Sequence, residues 1–272
     1  MQHQKMLGLA EWVYFLSQVD IPVLKQTARN LSALRQNEKN LSARGVANVI
    51  RHDPMMTAKL LRHLQQQKHA SQKHEVVEVD QALMMLGLDI FFKKVPADPL
   101  AETLLSGQMD ALSCLLRVMH RSNRASTFAV DWAVRLNDMH HEEVRIAALL
   151  FDIAELLMWC FAPVDMLKIR AMQQQDKTLH SSEAQERVLG FALSRLQSEL
   201  ALKWALPRLL ITLMDGECAD QQRVRNVFLA VNLARHSANG WTDEALPEDY
   251  IDIGELLHMQ PEEVKVMIGA QE

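Results

Sequence analysis

Nine glycines and eight prolines in 272 residues, ~6% of the chain where ~12% is usual, set the strongest limit on what this sequence can fold into. A sheet-rich protein of this length needs many tight turns, and glycine and proline are the residues that make them. The apolar pattern points the same way. Leu31 and Leu34 follow Ala28; Val46, Val49 and Ile50 share one face; Met56, Leu60, Leu61 and Leu64 share another. Phe128, Ala129, Trp132, Ala133 and Leu136 repeat the three- and four-residue spacing of a helix that buries one side. No alternating run is long enough for a strand, and no internal repeat stands out. The fold class is all-α. With 49% hydrophobic and 23% charged residues, the chain can build a core and does not have the composition of a disordered protein.

Local signals divide the helices. Ser42 is a candidate N-cap, and Asp53 followed by Pro54 pairs a capping side chain with the imino acid best tolerated at a first helical position. Asp80 is expected to cap a short helix from Ala82 to Leu86, with Gly87 as its stop. Gln65 to His74 reads as a helix end and an exposed loop. Helices are expected over 112–119 and 126–136. Another should start at Glu142 and Glu143 and run through Ile153, apolar nearly all round and the most buried of all. Further helices are expected at 182–203, 207–214, 221–237 and 261–269. Pro96, Pro99 and Gly107 mark the expected junction between two packed helical lobes, residues 1–105 and 106–240. Residues 241–272 form an acidic extension with a short helix.

The net charge of −5 is unevenly spread. Residues 1–100 carry 13 Lys/Arg against 9 Asp/Glu, for +4; residues 101–240 carry 15 against 16, for −1; residues 241–272 carry 1 against 9, for −8. No basic stripe recurs along one face, which argues against nucleic acid as a partner; binding by the +4 region would be steeply salt-dependent. The acidic extension is read as solvated surface, with a self-capping or partner-binding segment as the sharper alternative. Cys114, Cys160 and Cys218 have neither zinc nor redox spacing, and Cys114 and Cys160 are expected in the core. The N-terminus lacks a secretion signal pattern, and the apolar run Leu156 to Val164 falls well short of the roughly 18 residues needed to span a bilayer. The expected location is the cytoplasm, with no membrane partner.

Eleven histidines invite a metal-enzyme reading. His140-His141-Glu142-Glu143 is the densest cluster, but adjacent helical residues point about 100° apart and rarely share one ion. The cluster is read as helix-start decoration, His52 as local capping, and His69 and His74 as loop residues without a partner acid. Met55-Met56 and Met84-Met85 are read as core, or alternatively as a plastic interaction surface.

Three stretches in order resemble the HDOD domain, a degenerate relative of the HD-type metal-dependent phosphohydrolases. IPVLKQTARNLSAL followed by VANVIRHDPMMTAKLLRHL is similar to that family's Leu-Pro-x-Leu lead-in and Asp-Pro helix pair, through Pro22, Leu24, Ile50, Asp53, Pro54, Lys59 and Leu60. VDQALMMLGL resembles its Ala…Leu-Gly segment, and AALLFDIAELLMW stands where the family's HD helix runs. RVLGFALSRLQSELALKWALP follows, with Gly190, Trp204, Leu206 and Pro207 matching. The resemblance covers roughly residues 17–237 and implies a multi-helical HD-like bundle.

Where the sequence departs from the catalytic relatives, it loses metal chemistry. An HD hydrolase needs imidazoles and carboxylates converging on a divalent ion. The namesake histidine falls at Phe151, beside Asp152; the upstream ligand falls near Arg124 or Ala125 and the downstream one near Leu193. Ala154 replaces the glycine that follows the pair, and Glu155 the next lysine. No metal, cofactor or catalytic residue is therefore expected. Asp152, Arg124 and Glu155 are the candidate anchors of a vestigial pocket that binds a ligand or partner. The resemblance implies a non-enzymatic module of bacterial signal transduction or regulation acting through protein partners. Such domains occur alone or joined to nucleotide-signalling domains, and here the partner is expected in trans, with a nucleotide-signalling protein as one candidate. The alternative is a residual metal-dependent phosphohydrolase acting on a nucleotide or phosphoester.

Overall fold

The computed structural model describes residues 8–37, 41–67 and 75–270; His69 and His74, and the loop expected around them, lie outside the described residues. The described chain is helical: α1 (Leu9–Gln18), α2 (Lys25–Gln36), α3 (Ala43–Ile50), α4 (Pro54–Gln66), α5 (Val79–Leu86), α6 (Leu88–Lys94), α7 (Ala101–Leu104), α8 (Met109–Arg135) and α9 (His141–Leu150). There follow α10 (Ile153–Phe161), α11 (Pro163–Gln175), α12 (Ser181–Leu189), α13 (Leu193–Lys203), α14 (Arg208–Leu213), α15 (Gln222–His236), α16 (Leu246–Leu257) and α17 (Pro261–Ile268). Among the described residues no single helix is long and apolar enough to cross a membrane.

Two compact units share the chain, and they interleave. The first comprises Met1–Met119 and Asp152–Leu206; the second comprises His120–Phe151 and Pro207–Glu272. The expected lobes were consecutive, 1–105 and 106–240, with a junction at Pro96 to Gly107. That segment instead lies within the first unit, where Val23 forms an isolated parallel bridge with Leu100. Val23 N–H donates to Pro99 O (2.9 Å) and Ala101 N–H to Val23 O (2.9 Å).

In the first unit α10 packs against α4, α11 and α13, while α1 lies against α13. α10 buries Ile153, Ala154, Leu156, Leu157, Met158, Trp159 and Cys160, so it has almost no solvent face. Asp53 organises the opposite end. Its carboxylate accepts Met55 N–H (2.9 Å) and Met56 N–H (3.0 Å), capping α4 at Pro54 as the sequence predicts. It also accepts Leu24 N–H (3.2 Å), tying the lead-in to the helix. Glu102 completes this corner by accepting Lys25 N–H through both oxygens at 2.9 and 3.1 Å. Burial pushes the Asp53 carboxyl up, against the pull of these donors and Thr27. Lys59 and Arg62 are buried on α4 and turn to carbonyls: Lys59 Nζ donates to Asp98 O, and Arg62 to Val19 O (2.8 Å) while lying over the Trp204 ring.

Several helix limits differ from expectation for identifiable reasons. Ser42 caps α3 through Gly45 N–H (3.1 Å) as read, but Asp80 sits inside the first turn of α5 and pairs with Arg51. The segment 182–203 breaks into α12 and α13 because Gly190 adopts a left-handed conformation (φ 84°) that ends the helix. The helices expected at 112–119 and 126–136 are one, α8.

In the second unit α9 packs on α14 and α15, burying Val144 and the run Ile146–Leu150. The acidic extension belongs to this unit rather than to solvent. α16 buries Leu246, Tyr250, Ile253 and Leu256 and packs on α15, and α17 packs on α16. A hydrogen bond and two ion pairs reinforce the attachment: His236 Nδ1 lies 2.6 Å from Asp249, and Arg225 pairs with Glu255 (2.6 Å) and Asp252 (3.7 Å).

Candidate functional site

The long helix expected from Glu142 through Ile153 breaks at the residues in question. Phe151 closes α9, and Asp152 takes a bridge-region conformation (φ −101°, ψ 21°) as the N-cap of α10. Asp152 thus stands at a helix start rather than within a continuous apolar helix. Its carbonyl accepts Leu156 N–H (3.1 Å). The cap of α10 comes from elsewhere, since Ala154 N–H donates to Gln197 Oε1 (2.9 Å), a buried side chain of α13. Glu155 accepts from Trp159 Nε1 (3.3 Å) one turn along. Asp152 is buried, and Leu193 opens α13 as a buried apolar residue whose N–H is satisfied by Gln185 Oε1 (2.8 Å).

The other positions lie in the second unit. Phe151 meets Phe228 edge to face, with ring centroids 4.9 Å apart, and the Arg235 guanidinium lies 5.7 Å over its ring. Ala125 is buried. Arg124 donates to Ser237 O (3.0 Å), and its guanidinium lies 5.5 Å from the Phe128 ring and 5.6 Å from the Trp241 ring. Burial lowers its pKa from the usual arginine value. Trp241 and Ser237 flank the acidic extension, so part of the work of Arg124 is to anchor the start of that segment. Asp152 and Glu155 therefore fall in the first unit and Arg124 in the second.

A metal does not fit this donor set. Phe151, Ala125 and Leu193 offer only carbon where three ligands would be needed, and the namesake pair keeps one carboxylate. Among the described residues no group of three or more His, Cys, Asp or Glu side chains is placed to hold an ion. His140 and His141 start α9, as read from the sequence: His140 Nδ1 is 2.9 Å from Glu143, and His141 Nδ1 is 3.3 Å from Asp138 O. Burial pushes the Cys160 thiol up to about 12, leaving it unreactive as a nucleophile. Sequence reasoning missed Gln197, Arg235 and Trp241. Their contacts join residues far apart in the chain, and no local pattern announces them.

The family model for the HDOD domain matches residues 21–217. This chain belongs to the HDOD domain family. The matched segment contains the Asp53-Pro54 corner, Phe151 and Asp152. Two solved structures share the HDOD-like fold across nearly their whole length. One is the MmoQ response regulator of Methylococcus capsulatus, with 15% identity over 93% of this chain and 99% of that one and a TM-score of 0.66. Another is a virulence factor of Campylobacter jejuni, with 19% identity over 97% and 91% and a TM-score of 0.67. Likeness at these identities is likeness of fold. Comparison with curated proteins gives no match.

Proposed function

We propose that this HDOD domain is a non-enzymatic regulatory module of bacterial signal transduction that acts through protein partners. The observation that carries the reading is the packing of Phe151. At the position of the namesake histidine, an aromatic ring is held edge-on by Phe228 and covered by the Arg235 guanidinium. A cation on that ring opposes a second cation at the same place, and carbon at Ala125 and Leu193 removes the remaining donors. The signalling assignment draws support from the family and from the response regulator among the structures of like fold.

The purified chain is expected to carry no stoichiometric transition metal by elemental mass spectrometry. It is also expected to show no turnover in a phosphodiesterase and phosphatase screen with manganese. Manganese-dependent turnover abolished by Asp152→Ala would overturn the proposal in favour of a residual phosphohydrolase. Affinity capture from the native host then identifies the partner.

A further inference from the structure

The acidic extension is fastened where two helix ends meet. His236 is the last residue of α15, and Asp249 lies in the first turn of α16. His236 Nδ1 and Asp249 Oδ2 are 2.6 Å apart. A helix C-terminus favours positive charge and an N-terminus negative charge, so the charged form of each side chain suits its place. The Asp249 side chain is 8% exposed and that of His236 33%, so the carboxylate is shut in while the imidazole can exchange protons with solvent. Burial pushes the Asp249 carboxyl up, and Asp252 and Asp243 add to this; His236 pulls it down without reversing the shift. A carboxyl raised in the folded state contributes stability that is full below its unfolded value and is lost as pH rises through the folded one. Once ionised, such a buried carboxylate gains most from a charged donor.

The other charged groups of this corner come from every element packed on α16. From α15, Arg225 pairs with Asp252 and Glu255, and Arg235 directly precedes His236. From α17, Lys265 lies over the Tyr250 ring, and burial together with Asp249 pushes the Tyr250 hydroxyl up. Arg124 holds the next residue along by donating to Ser237 O (3.0 Å), while Glu244 and Glu248 face solvent. His258, exposed at the end of α16, is the other histidine of α15–α17. We propose that the His236–Asp249 contact is a pH-sensitive latch on the acidic extension: protonated His236 holds α16 tightly to α15, and neutral His236 holds it more loosely. Neutral imidazole still donates through Nδ1, so the bond survives without its charge, and charge-assisted bonds are roughly twice as strong as neutral ones. Histidine is the side chain whose charge ordinarily changes between about pH 5 and 8. Because α17 packs on α16, the latch carries a pH signal to the most acidic part of the chain and gives the module an input of its own, beyond its proposed function.

The test is amide hydrogen exchange on the full chain, read at Tyr250 and Ile253 as protection relative to the intrinsic rate at each pH. From about pH 5.5 to about pH 8 the parent is expected to lose protection about fivefold, solvent screening at the one-third-exposed imidazole keeping the change from being larger. His236→Asn keeps a neutral donor and does not titrate. Its protection should stay level across the range, apart from any slope due to His258, which this variant retains. Asp249→Asn removes the buried charge instead; it should also stay level, and above pH 7 it should be at least as protected as the parent. This second variant decides the matter even if His236→Asn does not fold. Parent protection that is independent of pH, or a parental slope that persists in either variant, would refute the latch. Neither result bears on the proposed function, which metal content and turnover decide.

Discussion

Asp138 shows how one side chain ties distant parts of the second unit together. It precedes α9, accepts His140 N–H at 2.9 Å and pairs with Arg223, 85 positions away, at 2.7 Å. Burial alone would raise its carboxyl. The hydrogen bonds from Arg223 and His140, with the positive charge of Arg223, more than reverse this and hold it below its usual 3.8. A carboxyl depressed in the folded state adds stability above its unfolded value and loses it as pH falls through the folded one. The pair should therefore be fully present at pH 5–7 and fade below about pH 4. Arg223 is more than a third exposed, so solvent screening limits the contribution to about 1 kcal/mol. Denaturant unfolding at pH 7 should show Asp138→Asn less stable by about that amount, with the gap to the parent narrowing as pH falls below about 4. A gap that stays constant with pH would show that the pair contributes nothing electrostatic. Asp53 was readable from sequence because Asp-Pro before an apolar run is a local signal. The tie from Arg223 to Asp138 was not, because nothing near either residue encodes the other.

Two elements show what periodicity captures and what it misses. The break between α9 and α10 was invisible because the residues around it are apolar on every side, so no face changes where the helix stops. α16 was overlooked for the opposite reason. Its acidic composition masks a regular spacing of Leu246, Tyr250, Ile253 and Leu256, which is the face that packs on α15. Gly254 within that helix is set by contact rather than by turn geometry. A Cβ there would lie 2.7 Å from Met259 O, a backbone atom of the turn that leads into α17. On an isolated helix Gly254→Ala would stabilise by about 1 kcal/mol. Here the clash, costing about 1–3 kcal/mol, outweighs that gain and pushes α17 off α16. The variant should melt lower and show faster amide exchange at Val264, which is buried in the parent. Unchanged exchange at Val264 would refute this account of the glycine.

At the scale of the whole molecule, the class of fold was legible in the scarcity of glycine and proline, and the family in the order of its motifs. The division into units was not. Proline and glycine between 96 and 107 look like a junction, yet Pro99 accepts a hydrogen bond from Val23 inside the first unit. The residues that complete that unit, Asp152–Leu206, return after an excursion through the second. A fragment ending at Leu105 keeps α1–α7 but lacks α10, which packs on α4, and α13, which packs on α1. It should give a broad, non-cooperative melt by circular dichroism; a sharp transition would show that the consecutive lobe folds alone. The same interleaving governs biosynthesis. Translation proceeds at about 5–20 residues per second, so at least 10 s of synthesis separate the first residue from Leu206, the last of that unit. Over that interval the apolar faces of α1 and α4 lack their final neighbours, α13 and α10, and a chain released early would carry those faces uncovered.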